Sequence, residues 1–415
     1  MKAKHESMKN HVPNGLLTLI VAAILLASIA PIASAGWDYR KPVTINNPGD
    51  TLSDYQVLVT LNSSNFDYSK ASPDGSDIGF VDGDNTVALN YWIEEWNATG
   101  DSRIWVAVPS VDGSGSTTIY MYYGNLGASD ARDGDATFEF FDDFPGTSLD
   151  KNKWQLGDGV PYQCYPIDYR VSNSTLVTWS YTPQWKSIQS DYTISSSETT
   201  IVEARVKSDA HDSWHILGLK DHSYINRNRF CVLFEGYPEN HIGIQTKTPS
   251  EWNRPHDLGV MQKNRWYKLK IIKSAENTMG AELIDNNGTL IGDYHTTLYS
   301  WDASKWQIVQ WKYDNVYSYW DYVFVRKYTS SEPITTVGAE ESDPPRPPIP
   351  TYIRSTDTDD DGVPNVWDAD NSTPAEYWTD SQGIGRMWGD MNGDGKLTSV
   401  DALMILQVAA EAISL

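Results

Sequence analysis

The sequence predicts a mostly β protein: two antiparallel β-sandwiches followed by a small α-helical calcium-loop module. Three observations predict it. Apolar residues recur with a period of two in short runs, turn-forming clusters separate the runs, and beyond residue 340 the chain becomes acidic and rich in loop residues. At 415 residues the chain is also too long for one ordinary domain.

From Trp37 to about Asn125 strand follows strand. Tyr55, Val57, Val59 and Leu61 alternate with polar or smaller partners, as do Ile104, Val106 and Val108, and then Thr117, Ile119 and Met121. Clusters such as Asn46-Asn47-Pro48-Gly49-Asp50 and Asp82-Gly83-Asp84-Asn85 supply the turns. Short strands at this spacing predict an antiparallel sandwich over residues 36–128. Gly36-Trp37-Asp38-Tyr39-Arg40-Lys41-Pro42-Val43, Asp74-Gly75-Ser76-Asp77-Ile78, Ile104-Trp105-Val106 and Tyr122-Tyr123-Gly124-Asn125 follow in an order that resembles the DUF2341 family. That resemblance implies a surface protein of archaea or bacteria and no particular activity.

A second β-rich unit is predicted over residues 138–341. Phe141-Asp142-Asp143-Phe144 and Leu149-Asp150-Lys151-Asn152-Lys153-Trp154 resemble the first strand and turn of concanavalin A-like (laminin G-like) sandwiches, which implies a jelly roll. Strands are expected at Thr200–Val206, Arg229–Glu235, Trp266–Ile272 and Trp306–Trp311. A last strand, Trp320–Arg326, should return beside the first and close the unit.

The N-terminus reads as a targeting segment over residues 1–35. Lys2, Lys4 and Lys9 precede an apolar run from Leu16 to Ala30, Pro31 breaks it, and Ala33-Ser34-Ala35 offers a cleavage site before Gly36. The run is short for a membrane span of about 20 residues, though an uncleaved anchor is the alternative. No later apolar stretch is long enough to span a bilayer, so the mature chain is expected at the cell surface or secreted. Export permits a disulfide between the two cysteines, Cys164 and Cys231, with two buried thiols as the other reading. Asn62, Asn97, Asn173, Asn287 and Asn371 each open an Asn-x-Ser/Thr triplet compatible with glycosylation.

Net charge is −23, which excludes nucleic acid as a natural partner, because phosphate binding needs clustered Lys and Arg. Asp343-Pro344-Pro345-Arg346-Pro347-Pro348-Ile349-Pro350 forms the centre of an extended spacer over residues 342–353. From residue 341 onward 14 Asp and Glu stand against 4 Lys and Arg, a density that calls for a cation.

Residues 354–415 supply that cation with ligands. In Asp390-Met391-Asn392-Gly393-Asp394-Gly395-Lys396-Leu397-Thr398-Ser399-Val400-Asp401, Asp390, Asn392, Asp394, Thr398 and Asp401 stand at positions 1, 3, 5, 9 and 12 of a calcium loop, joined by the Lys396 carbonyl at position 7. Gly395 permits the sharp turn between the halves. An apolar-faced helix should follow from Ala402 to Ala410. Loop and helix resemble one segment of a dockerin, which implies docking to a cohesin-type partner through Ser399, Val400 and Leu403. An earlier loop offers Asp357, Asp359, Asp361, the Val363 carbonyl, Asn365 and Asp368 for a second calcium. Here Pro364 lacks an amide hydrogen and no helix follows Asp368, so this loop is more similar to a thrombospondin type 3 repeat.

Catalytic signatures are sparse. Glycosidases of the concanavalin A-like class set two carboxylates on one strand, often as Glu-x-Asp-x-x-Glu, and no such run occurs. Glu94-Glu95 and Asp142-Asp143 put neighbours on opposite faces of a strand, and Asp142-Asp143 suits a turn or a structural ion better. His211 and His215 lack the helical context of a metal pair, and no Gly-x-Ser-x-Gly elbow exists. The chain holds 17 Trp and 24 Tyr against 9 Phe, rings with a polar tip that suit wet, sugar-facing surfaces as well as large cores. Trp214, Trp311, Tyr313 and Tyr319 are the candidate glycan contacts, with Trp185 and Trp252 available from other loops. The sequence thus points to an exported, non-catalytic glycan-binding or adhesion protein, with a dockerin-borne glycoside hydrolase as the alternative.

Overall fold

In a strand, alternate side chains face opposite ways, so a period of two buries one face and wets the other. Tyr39–Asn47 follows this rule, burying Val43 and Ile45 while Thr44 is half-buried and Asn46 exposed. The structure is a computed structural model. It describes residues 37–125, 128–157, 164–210, 214–222, 228–234, 241–247, 252–273, 278–297, 305–313 and 315–342, with two short strands at Tyr377–Thr379 and Gly385–Met387.

The first sandwich is built from β1 (Tyr39–Asn47), β2 (Leu52–Leu61), β3 (Gly79–Val81), β4 (Ala88–Leu89), β5 (Tyr91–Glu95), β6 (Ser102–Val111) and β7 (Gly115–Tyr123). One sheet runs β1-β7-β3-β4 and the other β2-β6-β5. Val43, Ile45 and Ile119 of the first sheet meet Tyr55, Val57, Val59 and Ile104 of the second in one closed core. The alternating residues of the sequence are its filling.

After the short helix α1 (Gly134–Thr137), the second sandwich begins with β8 (Phe140–Asp142), β9 (Trp154–Leu156), β10 (Tyr165–Pro166), β11 (Asp168–Val171) and β12 (Leu176–Trp179). It continues through β13 (Lys186–Ser195), β14 (Thr200–Ser208), β15 (Trp214–Asp221), β16 (Arg229–Phe234), β17 (His241–Lys247) and β18 (Trp252–Val260). It ends with β19 (Tyr267–Lys273), β20 (Thr278–Ile284), β21 (Leu290–Thr297), β22 (Lys305–Lys312) and β23 (Ser318–Lys327). An outer sheet has the order β10-β13-β22-β15-β16-β17-β18, with β9 also on β13. A junction sheet has the order β11-β12-β23-β14-β19-β20-β21, with β8 also on β23. Their facing side chains, among them Val202, Val206 and Leu269 against Ile216, Phe230 and Ile308, form the largest core. The closing strand returns as expected, with Val323 opposite Asp142 and Phe324 opposite Phe141.

The expected boundary at residue 341 needs correction. Residues 334–342 do not belong to the second sandwich. β24 (Ile334–Val337) and β25 (Glu341–Ser342) cross back and pair with β1, Val43 opposite Val337 and Tyr39 opposite Ser342. Tyr123 donates its hydroxyl hydrogen to Glu340 at 2.6 Å, and Lys70 pairs with the same carboxylate. The second sandwich is therefore inserted between β7 and the edge strands of the first. Sequence order hid this because β24 is too short to declare its partner; an edge strand is recruited by a free ladder, not by its own pattern.

The junction is apolar at its centre. Trp92 and Trp105 from the three-stranded sheet meet Phe138, Phe141, Tyr322 and Phe324. Phe138 and Phe324 stack at 4.2 Å, and Trp92 meets Phe141 edge-on at 4.9 Å. Such pairs add about 0.5–1.5 kcal/mol each beyond burial.

The targeting segment 1–35, the spacer core and both calcium loops, with Asp357 through Asp368 and Asp390 through Asp401, lie outside the described residues, as does the helix predicted after them. Between the two loops, Tyr377–Thr379 and Gly385–Met387 pair as antiparallel strands, Tyr377 opposite Met387.

Candidate functional site

The outer sheet ends in a row of aromatic rings. Lys186 of β13 stands opposite Lys312 of β22, so the flanking residues Trp185 and Tyr313 fall side by side, their rings 5.3 Å apart. On the other side of β13, β10 runs parallel, and the Tyr165 amide donates to the Trp185 carbonyl at 2.9 Å. Three neighbouring strand ends thus present Tyr165, Trp185 and Tyr313. Tyr165 is 60% exposed and Trp185 36%, while Tyr313 is half-buried.

The loop entering β13 braces this ledge. The Ser180 hydroxyl donates within it to the Thr182 carbonyl at 2.6 Å, and the Gln184 amide donates to the same carbonyl at 2.7 Å. Pro183 stiffens the span, and Tyr181, at 64% exposure, stands off its tip. Trp179 beneath meets Tyr181 edge-on at 5.4 Å and Tyr317 at 5.3 Å. Polar groups lie alongside. Lys186 donates to Asp168 at 2.5 Å, and the Tyr181 amide donates to the same oxygen at 3.1 Å. Burial pushes the Asp168 carboxyl up, but these bonds and the Lys186 charge outweigh it and hold the group below the ordinary carboxylate range.

The four predicted ligand aromatics do not share a face. Tyr313 joins the ledge. Trp311 does not: it is 1% exposed, packed with Cys231 and Val309, and the Arg229 guanidinium caps its ring at 4.3 Å. Within β22 the period of two sends Trp306 and Ile308 into the core and Trp311 to the opposite face, but that face is itself covered. Tyr319 lies on the junction sheet, on the other side of the sandwich, where the Lys207 ammonium sits 4.7 Å from its ring. Trp214 opens β15 opposite Phe234, and its side chain, like that of Trp252, lies outside the described residues. Tyr165 and Tyr181 were missed by sequence reasoning. The signal was available in Tyr181-Thr182-Pro183-Gln184-Trp185, where two aromatics flank a proline between strands and so must emerge from a loop.

The paired carboxylates have structural duties. Asp142 accepts from the Phe144 amide at 2.7 Å and from the Trp154 indole at 2.6 Å, holding the turn in which Phe144 adopts φ 53°. Burial raises its pKa, and that of Asp143. At the middle of the outer sheet, β16, β17 and β22 contain no Asp or Glu, and β15, between β22 and β16, ends in the buried Asp221. Cys164 packs against the cluster of Cys231, Val309 and Trp311, and both cysteines are thiols. Among the described residues no group of three or more His, Cys, Asp or Glu is placed to hold a metal ion, and no helix is long and apolar enough to cross a membrane. The proposed metal ligands Asp357, Asp359, Asp361, Val363, Asn365, Asp368, Asp390, Asn392, Asp394, Lys396, Thr398 and Asp401, and the docking residues Ser399, Val400 and Leu403, lie outside the described residues.

Several solved structures are similar in fold. An endo-beta-1,3-glucanase from Pyrococcus furiosus is 15% identical, with a TM-score of 0.36 over 46% of this chain and 95% of that one. A laminarinase from Flavobacterium is 14% identical, with a TM-score of 0.35 over 46% of this chain and 100% of that one. A carbohydrate-binding module, CBM66 from Bacillus subtilis, is 12% identical, with a TM-score of 0.30 over 43% of this chain and 98% of that one. In sequence, an uncharacterized protein of Methanocaldococcus jannaschii is 32% identical over 139 residues, 30% of this chain. The match spans only 24% of that relative's length. Residues 74–157 match the model of a domain of unknown function, DUF2341, a span that runs from the middle of the first sandwich through α1 to β9 of the second.

Proposed function

We propose that this chain is a non-catalytic carbohydrate-binding protein of the cell exterior, gripping glycan on the ledge of Tyr165, Trp185 and Tyr313. One observation carries the reading: three rings at adjacent strand ends, two of them well exposed, beside the polar pair Lys186 and Asp168. Aromatic rings stack on the apolar faces of sugars while charged neighbours bond the hydroxyls. Hydrolysis would need two carboxylates about 5–10 Å apart across one cleft. The middle strands of the outer sheet offer one carboxylate, Asp221 at the end of β15, and it is buried, which favours binding over cleavage.

The proposal extends to the C-terminal tail. The ligand spacing at Asp390–Asp401 and Asp357–Asp368 supports two calcium ions, and the dockerin resemblance of the second loop supports a cohesin-type partner at the envelope. The basic and apolar N-terminal segment supports secretion or surface display.

Two experiments test this. On a glycan array the full chain should bind polysaccharide and release no reducing sugar; hydrolysis abolished by one carboxylate substitution would replace the reading with that of a glycoside hydrolase. Calorimetric titration with calcium should show two sites, with Asp390→Ala removing one. Absence of any calcium heat would sink the tail's part of the proposal.

A further inference from the structure

The junction between the sandwiches holds a side-chain cluster that the glycan ledge does not include. Glu94 stands at a bulge. The β5–β6 ladder pairs Ile93 with Ile104 and then Glu95 with Arg103, skipping Glu94, and bulges re-aim side chains. The Glu94 side chain, 2% exposed, pairs there with Lys268 of β19, itself 9% exposed. The Trp105 indole donates to one Glu94 oxygen at 2.9 Å, and the Tyr322 hydroxyl to the other at 3.0 Å. Trp92, Phe138, Phe141 and Phe324 complete an apolar shell beside them.

A second carboxyl stands alongside. On β14, Glu203 pairs across the ladder with Lys270, and Arg205 with Lys268, so Glu203 lies one pleat from the ion pair on the same face. It is buried, its Oε2 accepts no hydrogen bond, and it feels the charges of both Glu94 and Lys268. Glu94, Glu203 and Lys268 all line one cavity of about 420 Å³ between the sandwiches. A buried ion pair costs several kcal/mol of desolvation per charge, and a buried carboxyl oxygen with no donor is an anomaly that asks for a role.

We propose that Lys268 and Glu94 condense into an intramolecular amide that welds the two sandwiches, with Glu203 as the proton carrier. Proton transfer within the pair gives a neutral amine and a carboxylic acid; burial favours this form, while the Lys268 charge and the donors around Glu94 pull its carboxyl down and make the ion pair the resting state. The Lys268 Nζ attacks the Glu94 Cδ, and a C–N bond forms. Negative charge developing on the Glu94 oxygens is met by Trp105 and Tyr322, which already donate to them. Glu203 takes a proton from the nitrogen and delivers it to the departing hydroxyl, one C–O bond breaks, and water leaves. An ammonium and a carboxylate become an amide and a water, with no oxidant, reductant or co-reactant. Fixed proximity supplies the rate that free groups in water would lack. Burial pushes the Glu203 carboxyl up, against the pull of the Lys270 charge, which makes it a stronger base for taking the proton from the nitrogen.

The decisive measurement is the intact mass of the purified full chain, with its N-terminal residue established by peptide sequencing. The wild type should weigh one water less than its sequence, and digestion should yield one branched peptide joining the Glu94 and Lys268 segments. Lys268→Arg should have the full sequence mass, as should Glu203→Gln in a folded chain with an unchanged circular dichroism spectrum. A wild-type chain at full mass, with trypsin cutting after Lys268, overturns the proposal and leaves a plain ion pair. A cross-linked Glu203→Gln chain overturns the role of Glu203.

Discussion

Tyr39 stands opposite Ser342 at one edge of the first sandwich, so the two-sandwich body begins and ends on the same pair of strands. The second sandwich leaves after Tyr123 and its last strand gives way to Ile334, which returns to β1. Two chain crossings and an aromatic junction therefore hold the sandwiches to each other. The tail also departs beside the N-terminus of β1.

That arrangement predicts a remote effect. Gly338→Pro removes the amide that donates to the Pro42 carbonyl at 2.8 Å, just after β24, and should cost about 2 kcal/mol, given that a lost backbone bond is worth about 1 kcal/mol and the ring disturbs its neighbours. Hydrogen exchange should speed up over Tyr39–Asn47, far earlier in the sequence. Exchange changes confined to residues 315–342 would show that β24 is not integral to the first sandwich.

The ledge makes a contrasting pair of predictions. Trp185→Ala should weaken glycan binding about two- to tenfold, because one stacked ring is worth roughly 0.5–1.5 kcal/mol, while leaving the melting temperature within a degree or two. Trp311→Ala should do the reverse, destabilising the fold by about 3–5 kcal/mol because its ring is fully buried. Array binding and thermal melts on both variants separate the two roles; a Trp311→Ala chain that folds normally would contradict its placement.

The contrast also shows what the sequence disclosed. Alternation in Val43-Thr44-Ile45 or Val202-Glu203-Ala204 states which face is buried, and strand positions followed from it. It cannot state what covers the other face. Trp311 and Tyr313 are equal in the sequence, yet one lies under Arg229 and the other stands at a strand end beside Trp185. Tyr165 and Tyr181 had no period to betray them, since loops and two-residue strands carry none. The Glu94–Lys268 pair was illegible for a different reason: it joins two sandwiches, and nothing local to either residue points across that junction.

The cysteines yield a chemical prediction. Burial raises the Cys231 thiol to about 12, so its thiolate is scarce at neutral pH. Native protein should react with iodoacetamide at Cys164 alone, with Cys231 labelled only after unfolding. Peptide mass mapping of the labelled chain decides this. Rapid labelling of Cys231 in the native state would mean that β16 opens readily.

Lys273, at the end of β19, is 1% exposed and donates to the Ser196 carbonyl at 2.9 Å and the Glu198 carbonyl at 2.5 Å. Burial lowers its pKa from 10.5 to about 8, against the upward pull of Glu198. The folded chain therefore prefers the neutral amine more than the unfolded chain does. Below about 8 both states carry the charge, and the cost of burying it is constant. Between about 8 and 10.5 the unfolded state holds the extra proton, so this residue's contribution to stability rises with pH. Lys273→Met removes that proton exchange. The difference in melting temperature between wild type and variant should shift in favour of the wild type from pH 8 to pH 10, and stay flat from pH 6 to pH 7.5. Other alkaline titrations cancel in the difference, so a flat difference throughout would place the Lys273 ammonium in water.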